Sequence, residues 1–181
     1  MWQMLRQILR VGLRTQPPPA ADPAMLETVL HADIARVFGR ALCIRHVDAG
    51  SCNGCELELH ALGNPYYNLE GLGIKFVASP RHADALLVTG PMTRNMAEAL
   101  QRAYAAMPEP KLVIAAGDCA ACGGVFGESY ACLGQVARVI PVDVTVPGCP
   151  PSPTALLQGI LAALQPATIL NRGKLAPTGR T

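Results

Sequence analysis

The chain has 181 residues, 50% of them hydrophobic and 15% charged, with a formal net charge of +2. Half the residues being apolar suffices to bury one sizeable core, and no second block of distinct composition marks another domain. So mild and scattered a charge, with aromatics at 4%, supplies neither the electrostatic footprint nor the stacking surface of a nucleic-acid-binding protein, and no apolar run approaches the ~20 residues that span a bilayer.

Residues Met1 to Arg14 read as an amphipathic helix, with Trp2, Leu5, Ile8, Leu9 and Leu13 toward one side and Gln3, Arg6, Gln7, Arg10 and Arg14 toward the other. The arginines interrupt any apolar core of a secretory signal, and a twin-arginine signal is missing, so a cytosol-facing protein is expected. Pro17-Pro-Pro ends the helix. A helix set apart from the body by a stiff proline linker is expected to dock on a membrane surface or a membrane subunit; the alternative is local packing on its own domain.

Asp22-Pro23 has the form of an N-cap followed by proline at the first helical position, and Leu26, Val29, Leu30, Ile34, Val37 and Phe38 follow at helical spacing as far as Gly39. From Leu42 the period changes. Leu42-Cys-Ile-Arg-His-Val, Ile74-Lys-Phe-Val, Ala85-Leu-Leu-Val-Thr, Leu112-Val-Ile-Ala-Ala and Val142-Asp-Val-Thr-Val are strand-length runs, several of them apolar on both faces. Helical patterns at Cys55 to Leu62, Arg94 to Met107, Gly124 to Gly134 and Thr154 to Leu164 separate them. Strands alternating with helices imply a doubly wound parallel sheet, an α/β flavodoxin-like fold whose ligands bind beyond the carboxyl ends of the strands. The polar, basic stretch from Pro166 to Thr181 is expected to be a loose tail. The expected division is thus 1–16 amphipathic helix, 17–39 linker and helix, 40–165 the α/β domain and 166–181 the tail.

Seven cysteines in a chain expected to face a reducing compartment point to metal ligands or small buried hydrophobes rather than disulfides. Four of them follow predicted strands in glycine- or proline-containing turns: Cys52 and Cys55 in Ser51-Cys-Asn-Gly-Cys-Glu, Cys119 in Gly117-Asp-Cys-Ala-Ala-Cys-Gly-Gly, and Cys149 in Pro147-Gly-Cys-Pro-Pro. Such turns aim backbone amides at an anionic centre, so the four thiols read as the ligand set of one [4Fe–4S] cluster at the carboxyl edge of the sheet. Zinc in an all-thiolate site is a competing reading, but structural zinc modules fold around the metal with short knuckles. A dithiol redox pair at Cys52 and Cys55 is another, and it leaves Cys119 and Cys149 without a role. Cys122 forms its own Cys-x-x-Cys with Cys119; Cys119 directly follows the turn after a strand and is taken as the ligand, with Cys122 expected as a buried thiol nearby. Cys43 and Cys132, in a strand and a helical stretch, are expected to be core residues, and His46 and His82 are read as structural.

Ser51-Cys-Asn-Gly-Cys-Glu-Leu-Glu, Gly117-Asp-Cys-x-x-x-Gly-Gly and Val142-Asp-Val-x-Val-Pro-Gly-Cys-Pro-Pro-Ser-Pro resemble the cluster-bearing small subunit shared by NiFe hydrogenases and respiratory complex I, over about Arg40 to Leu164. The resemblance implies a flavodoxin-like fold and one [4Fe–4S] cluster held by Cys52, Cys55, Cys119 and Cys149. Complex I subunits typically carry their first two ligands as adjacent cysteines, whereas Cys52-Asn-Gly-Cys55 has the hydrogenase spacing, and Asn64-Pro-Tyr-Tyr-Asn-Leu-Glu resembles the membrane-bound, energy-converting, formate hydrogenlyase-type branch. It further implies an oxidoreductase complex, peripheral on the cytoplasmic side of the inner membrane. Its partners would be a large subunit with a nickel–iron site or its complex I homologue, a ferredoxin-like iron–sulfur subunit and an integral membrane subunit. A related complex without nickel–iron, or one delivering electrons to quinone, is the alternative. Glu58 matches by offset a glutamate of the complex I pattern and is the candidate proton-path residue; Glu56 lacks so good a match but can share a helix face with His60, four residues on.

Overall fold

The computed structural model describes residues 23–165 together with Arg6; the expected helix at 1–14 and tail at 166–181 lie outside the described residues. The elements run α1 (Pro23–Phe38), β1 (Leu42–Asp48), α2 (Gly54–Ala61), β2 (Ile74–Phe76), β3 (Ala85–Thr89), β4 (Met92–Thr93), α3 (Arg94–Ala106), β5 (Leu112–Ala116), α4 (Asp118–Cys122), β6 (Cys132–Gly134), β7 (Val144–Val146) and α5 (Pro153–Ala163), with single 3-10 turns at Pro80–His82 and Val136–Arg138.

Strands β3 and β5 are buried at every position, which requires both sheet faces to be covered and explains why their sequences are unbroken apolar runs rather than alternations. The sheet has five strands in the order β2-β1-β3-β5-β7, all parallel. Counted among themselves the strands follow 2-1-3-4-5, the flavodoxin-like order. Alternation along each strand divides the core. Ile44, Leu87 and Ile114 face Leu30 and Ile34 of α1, Leu59 of α2 and Ile160 of α5, while Leu86, Val88 and Val113 face Leu100 of α3, Ala120 of α4 and the loop residues Val136 and Ile140. A fully buried Leu or Ile contributes roughly 1.5–3 kcal/mol through removal of apolar surface from water.

Polar contacts fix the ends of this scaffold. Ser152 caps α5, its Oγ accepting from Ala155 N at 3.3 Å ahead of Pro153 at the first helical position. Arg40 donates to both oxygens of the buried Asp84 at 3.0 and 2.6 Å, and Asp84 also accepts from Cys43 N at 3.0 Å, tying the start of β1 to the entry of β3.

One expected element is absent. The segment 124–134 forms turns and then strand β6, antiparallel to β4, instead of a helix. The reason is glycine: Gly123, Gly124, Gly127 and Gly134 all take positive φ, with Gly123 in the left-handed cap of α4. The apolar residues that suggested a helical face are left outside, Val125 being 86% and Tyr130 95% exposed. Cys132 is buried as expected, but in β6, its thiol directed to Met92 O at 3.5 Å.

Candidate functional site

Three loops leave the carboxyl ends of β1, β5 and β7 and meet over the sheet edge. After β1, the Asp48 side chain accepts from Gly50 N and Ser51 N, both at 2.7 Å, forming a local turn; Asn53, at φ 71°, then turns the chain into α2. Cys52 sits in this turn and Cys55 in the first turn of the helix. After β5, Gly117 leads directly into α4, which carries Cys119 near its start. After β7 comes Cys149. The last two loops are joined reciprocally: Asp118 N donates to Gly148 O at 2.9 Å, and Gly148 N donates to Asp118 Oδ1 at 2.8 Å.

As a result Cys52, Cys55, Cys119 and Cys149, scattered in sequence, line one cavity of about 100 Å³ together with Gly54, Gly90 and Gly148. Cys55 and Cys119 are buried while Cys52 and Cys149 are exposed, so the cavity has a core side and an open side. Glycine makes room for the sulfurs. A Cβ on Gly117 would stand 2.7 Å from Cys55 Sγ, and one on Gly124 2.7 Å from Cys119 Sγ, closer than real side chains come.

Burial is the first cause that pushes the Cys55 thiol up to about 12, followed by the charges of Glu56 and of the other three cysteines. Cys119 is raised by burial and by Cys149 and Cys52, against which a hydrogen bond from the Val125 backbone acts. Thiols that resist joint ionisation need positive charge among them, and bound metal supplies it. The four thiols border one volume of about 100 Å³. Donor chemistry, cavity and glycine spacing together fit a cluster.

Cys122 departs from expectation. It is exposed, not buried, and is not among the residues lining the thiol cavity. The helix begins at Asp118, before Cys119, rather than at Gly124, so Cys122 falls in its last position with its thiol directed to Asp118 O at 3.2 Å.

Beside this site lies a larger cleft of about 580 Å³ between β1, α2 and the chain leaving β2, lined by residues including Arg45, His46, Glu56, His60, Phe76 and Val77. Glu56 and His60 do share a face there. Glu58 is half-buried and lines neither cavity. Sequence reasoning gave little weight to Glu56, yet it is 8% exposed and neither carboxylate oxygen has a hydrogen-bond partner. His46 Nε2 stands 3.8 Å from Glu56 Oε1 and 2.9 Å from Thr89 Oγ1. Desolvation lowers the His46 pKa, opposed by the charges of Glu56 and Asp48. The i,i+4 spacing of Glu56 and His60 was the sequence signal for this cleft; the Asp118 tie to Gly148 had none.

Comparison with known proteins converges on the same segment. Residues 52–163 match the family described as NADH ubiquinone oxidoreductase, 20 Kd subunit. Over 146 residues, covering 81% of this chain and 87% of the relative, the sequence is 46% identical to "Probable membrane-bound hydrogenase subunit mbhJ" of Pyrococcus furiosus. It is 44% identical over 135 residues to "Formate hydrogenlyase subunit 7" of Escherichia coli, covering 75% of this chain and 53% of that one. Among solved structures, a chain of the archaeal membrane-bound sulfane sulfur reductase superposes with a TM-score of 0.62 at 28% identity, covering 88% of this chain and 93% of that chain.

Proposed function

Since the chain belongs to the 20 kDa-subunit family of NADH ubiquinone oxidoreductase, we propose that it is the electron-transfer small subunit of a membrane-bound, energy-converting NiFe hydrogenase. One [4Fe–4S] cluster would be held by Cys52, Cys55, Cys119 and Cys149 and exchange electrons with a nickel–iron site in a partner large subunit, with hydrogen as product or substrate. The observation that carries this reading is the convergence of these four thiols on one cavity, in a chain 46% identical to a relative named as a membrane-bound hydrogenase subunit.

When bound, the cluster supplies one-electron transfer at a potential set by its surroundings. The chain's own residues provide the rest. Cys55 and Cys119 anchor the core side, and the glycines admit the sulfurs. Gly54 and Gly124 lie beside the Cys52 and Cys119 sulfurs, where their amides can tune them, and Asp118 keeps two of the ligand loops in register. Among the described residues no helix is long and apolar enough to cross a membrane. In this reading attachment runs to a membrane subunit through the amphipathic sequence 1–14, on the cytoplasmic side, with a ferredoxin-like iron–sulfur subunit as the other electron partner.

The test is elemental analysis and EPR of the purified complex, with nickel content and hydrogen–dye exchange. Nickel and exchange activity in the parent complex, and an iron content lower by one four-iron cluster in the Cys149→Ala complex, are expected. Stoichiometric zinc, or iron undiminished in Cys149→Ala, refutes the cluster. Absence of nickel and of exchange activity refutes the hydrogenase assignment. In that case the second reading takes over, a related respiratory relay without nickel–iron or linked to quinone. The likeness to the sulfane sulfur reductase chain favours it.

A further inference from the structure

The cleft beside the thiol cavity has a floor that the described residues do not complete. Glu56 is 8% exposed, and both its oxygens are without partners, a state that costs free energy unless a donor is supplied. The candidates among the described residues do not supply one. His46 Nε2 is 3.8 Å away and lies at hydrogen-bond distance from Thr89 Oγ1, while Arg45 and His60 line the cleft without bonding the carboxylate. A volume of about 580 Å³ is far more than a bridging water needs.

The wall of the cleft is strand edge. Strand β1 pairs with β2 only from Leu42 to Ile44, but with β3 from Ile44 to Asp48. Past Ile44, which accepts from Val77 N at 2.9 Å, the side of β1 turned away from β3 has no strand partner among the described residues. An unpaired edge is a template for another extended chain. Phe76, lining the same cleft, is 44% exposed, offering an apolar contact at its mouth.

We propose that this cleft receives a polypeptide segment of a partner subunit, extended along the free edge of β1, whose arginine or lysine side chain pairs with Glu56. The inference rests on the reading that the chain works in a multi-subunit complex, but not on the chemistry of that complex. A strand edge selects polypeptide over a small molecule, and an orphaned buried carboxylate selects a cationic donor, arginine matching both oxygens at once.

The experiment uses the whole complex purified through a tag on this chain, with p-benzoylphenylalanine in place of Phe76 and, separately, the variants Glu56→Gln and Glu56→Arg. Irradiation should join this chain to one partner subunit, at a peptide containing arginine or lysine. Glu56→Gln, with iron content unchanged, should speed loss of that partner on the order of tenfold or more, as truncating one side of a buried charge pair does; Glu56→Arg should release it. A cross-link to no polypeptide or to a peptide without a basic residue, a stoichiometric small molecule recovered from the cleft, or partner retention unchanged in Glu56→Gln overturns the proposal. Failure of the hydrogenase reading would show instead in nickel and exchange activity, with the cross-link intact.

Discussion

The two cavities at the carboxyl edge of the sheet differ in how far the chain finishes them. The smaller, about 100 Å³, is enclosed by loops whose polar groups answer one another, with Asp48 serving Gly50 and Ser51 and Asp118 serving Gly148. The larger, about 580 Å³, keeps a buried carboxylate unanswered and a strand edge half paired. A site whose occupant is small can be preorganised by its own chain, because every loop can be tied to its neighbour. A site whose occupant is another polypeptide leaves some donors and acceptors for that polypeptide to fill.

If the thiol cavity is the preorganised one, its parts should be unequal in a definite order. Cys119→Ser should cost most, removing a core-side ligand, and iron per chain should fall sharply. Gly117→Val comes next. Its Cβ would meet Cys55 Sγ at 2.7 Å, and its φ of +90° is unfavourable for any side chain, so weakened cluster retention and a lower unfolding midpoint are expected, the strain alone being about 1–3 kcal/mol. Asp118→Ala strips Gly148 N of its acceptor and leaves one of the two bonds between the loops. Chemical denaturation should show a loss of about 1–3 kcal/mol, with faster release of iron to a chelator.

The larger cavity predicts a smaller, pH-dependent effect. His46 has its pKa lowered by burial, so between its folded and unfolded pKa values the unfolded chain binds more protons. Stability should therefore decline as pH falls through about 6.5 and level off below the folded value. His46→Gln should flatten that part of the profile, read from urea midpoints between about pH 5 and 7. Least of all, Cys122→Ser, at an exposed position outside the cavity, should change stability by under about 0.5 kcal/mol and leave the iron count alone. If it cost the cluster while Cys119→Ser kept it, the choice of thiol would be reversed.

The fold was legible in sequence wherever burial on both faces writes an unbroken apolar run, as in β3 and β5. It was not legible at 124–134. There Val125 and Phe126 mimic a helical face, but four positive-φ glycines redirect the chain. The convergence of the thiols was also legible, because all three ligand-bearing loops follow strand ends in a parallel sheet. What could not be read was charge left over. Whether Glu56 or Glu58 turns inward depends on the packing of α2, and the absence of a partner for Glu56 is a property of its surroundings rather than of its sequence.

The division of the thiols into a buried pair and an exposed pair also sets the direction from which damage arrives. With the cluster seated as proposed, Cys55 and Cys119 are shielded by the sheet, whereas Cys52 and Cys149 face outward. Among the four ligands, oxidants reaching the isolated chain would meet those two sulfurs before the buried pair, and oxidation of either removes a ligand. A partner that covered the open side of this cavity would then also be a shield, and the exposed pair should oxidise more slowly in the complex than in the separated subunit.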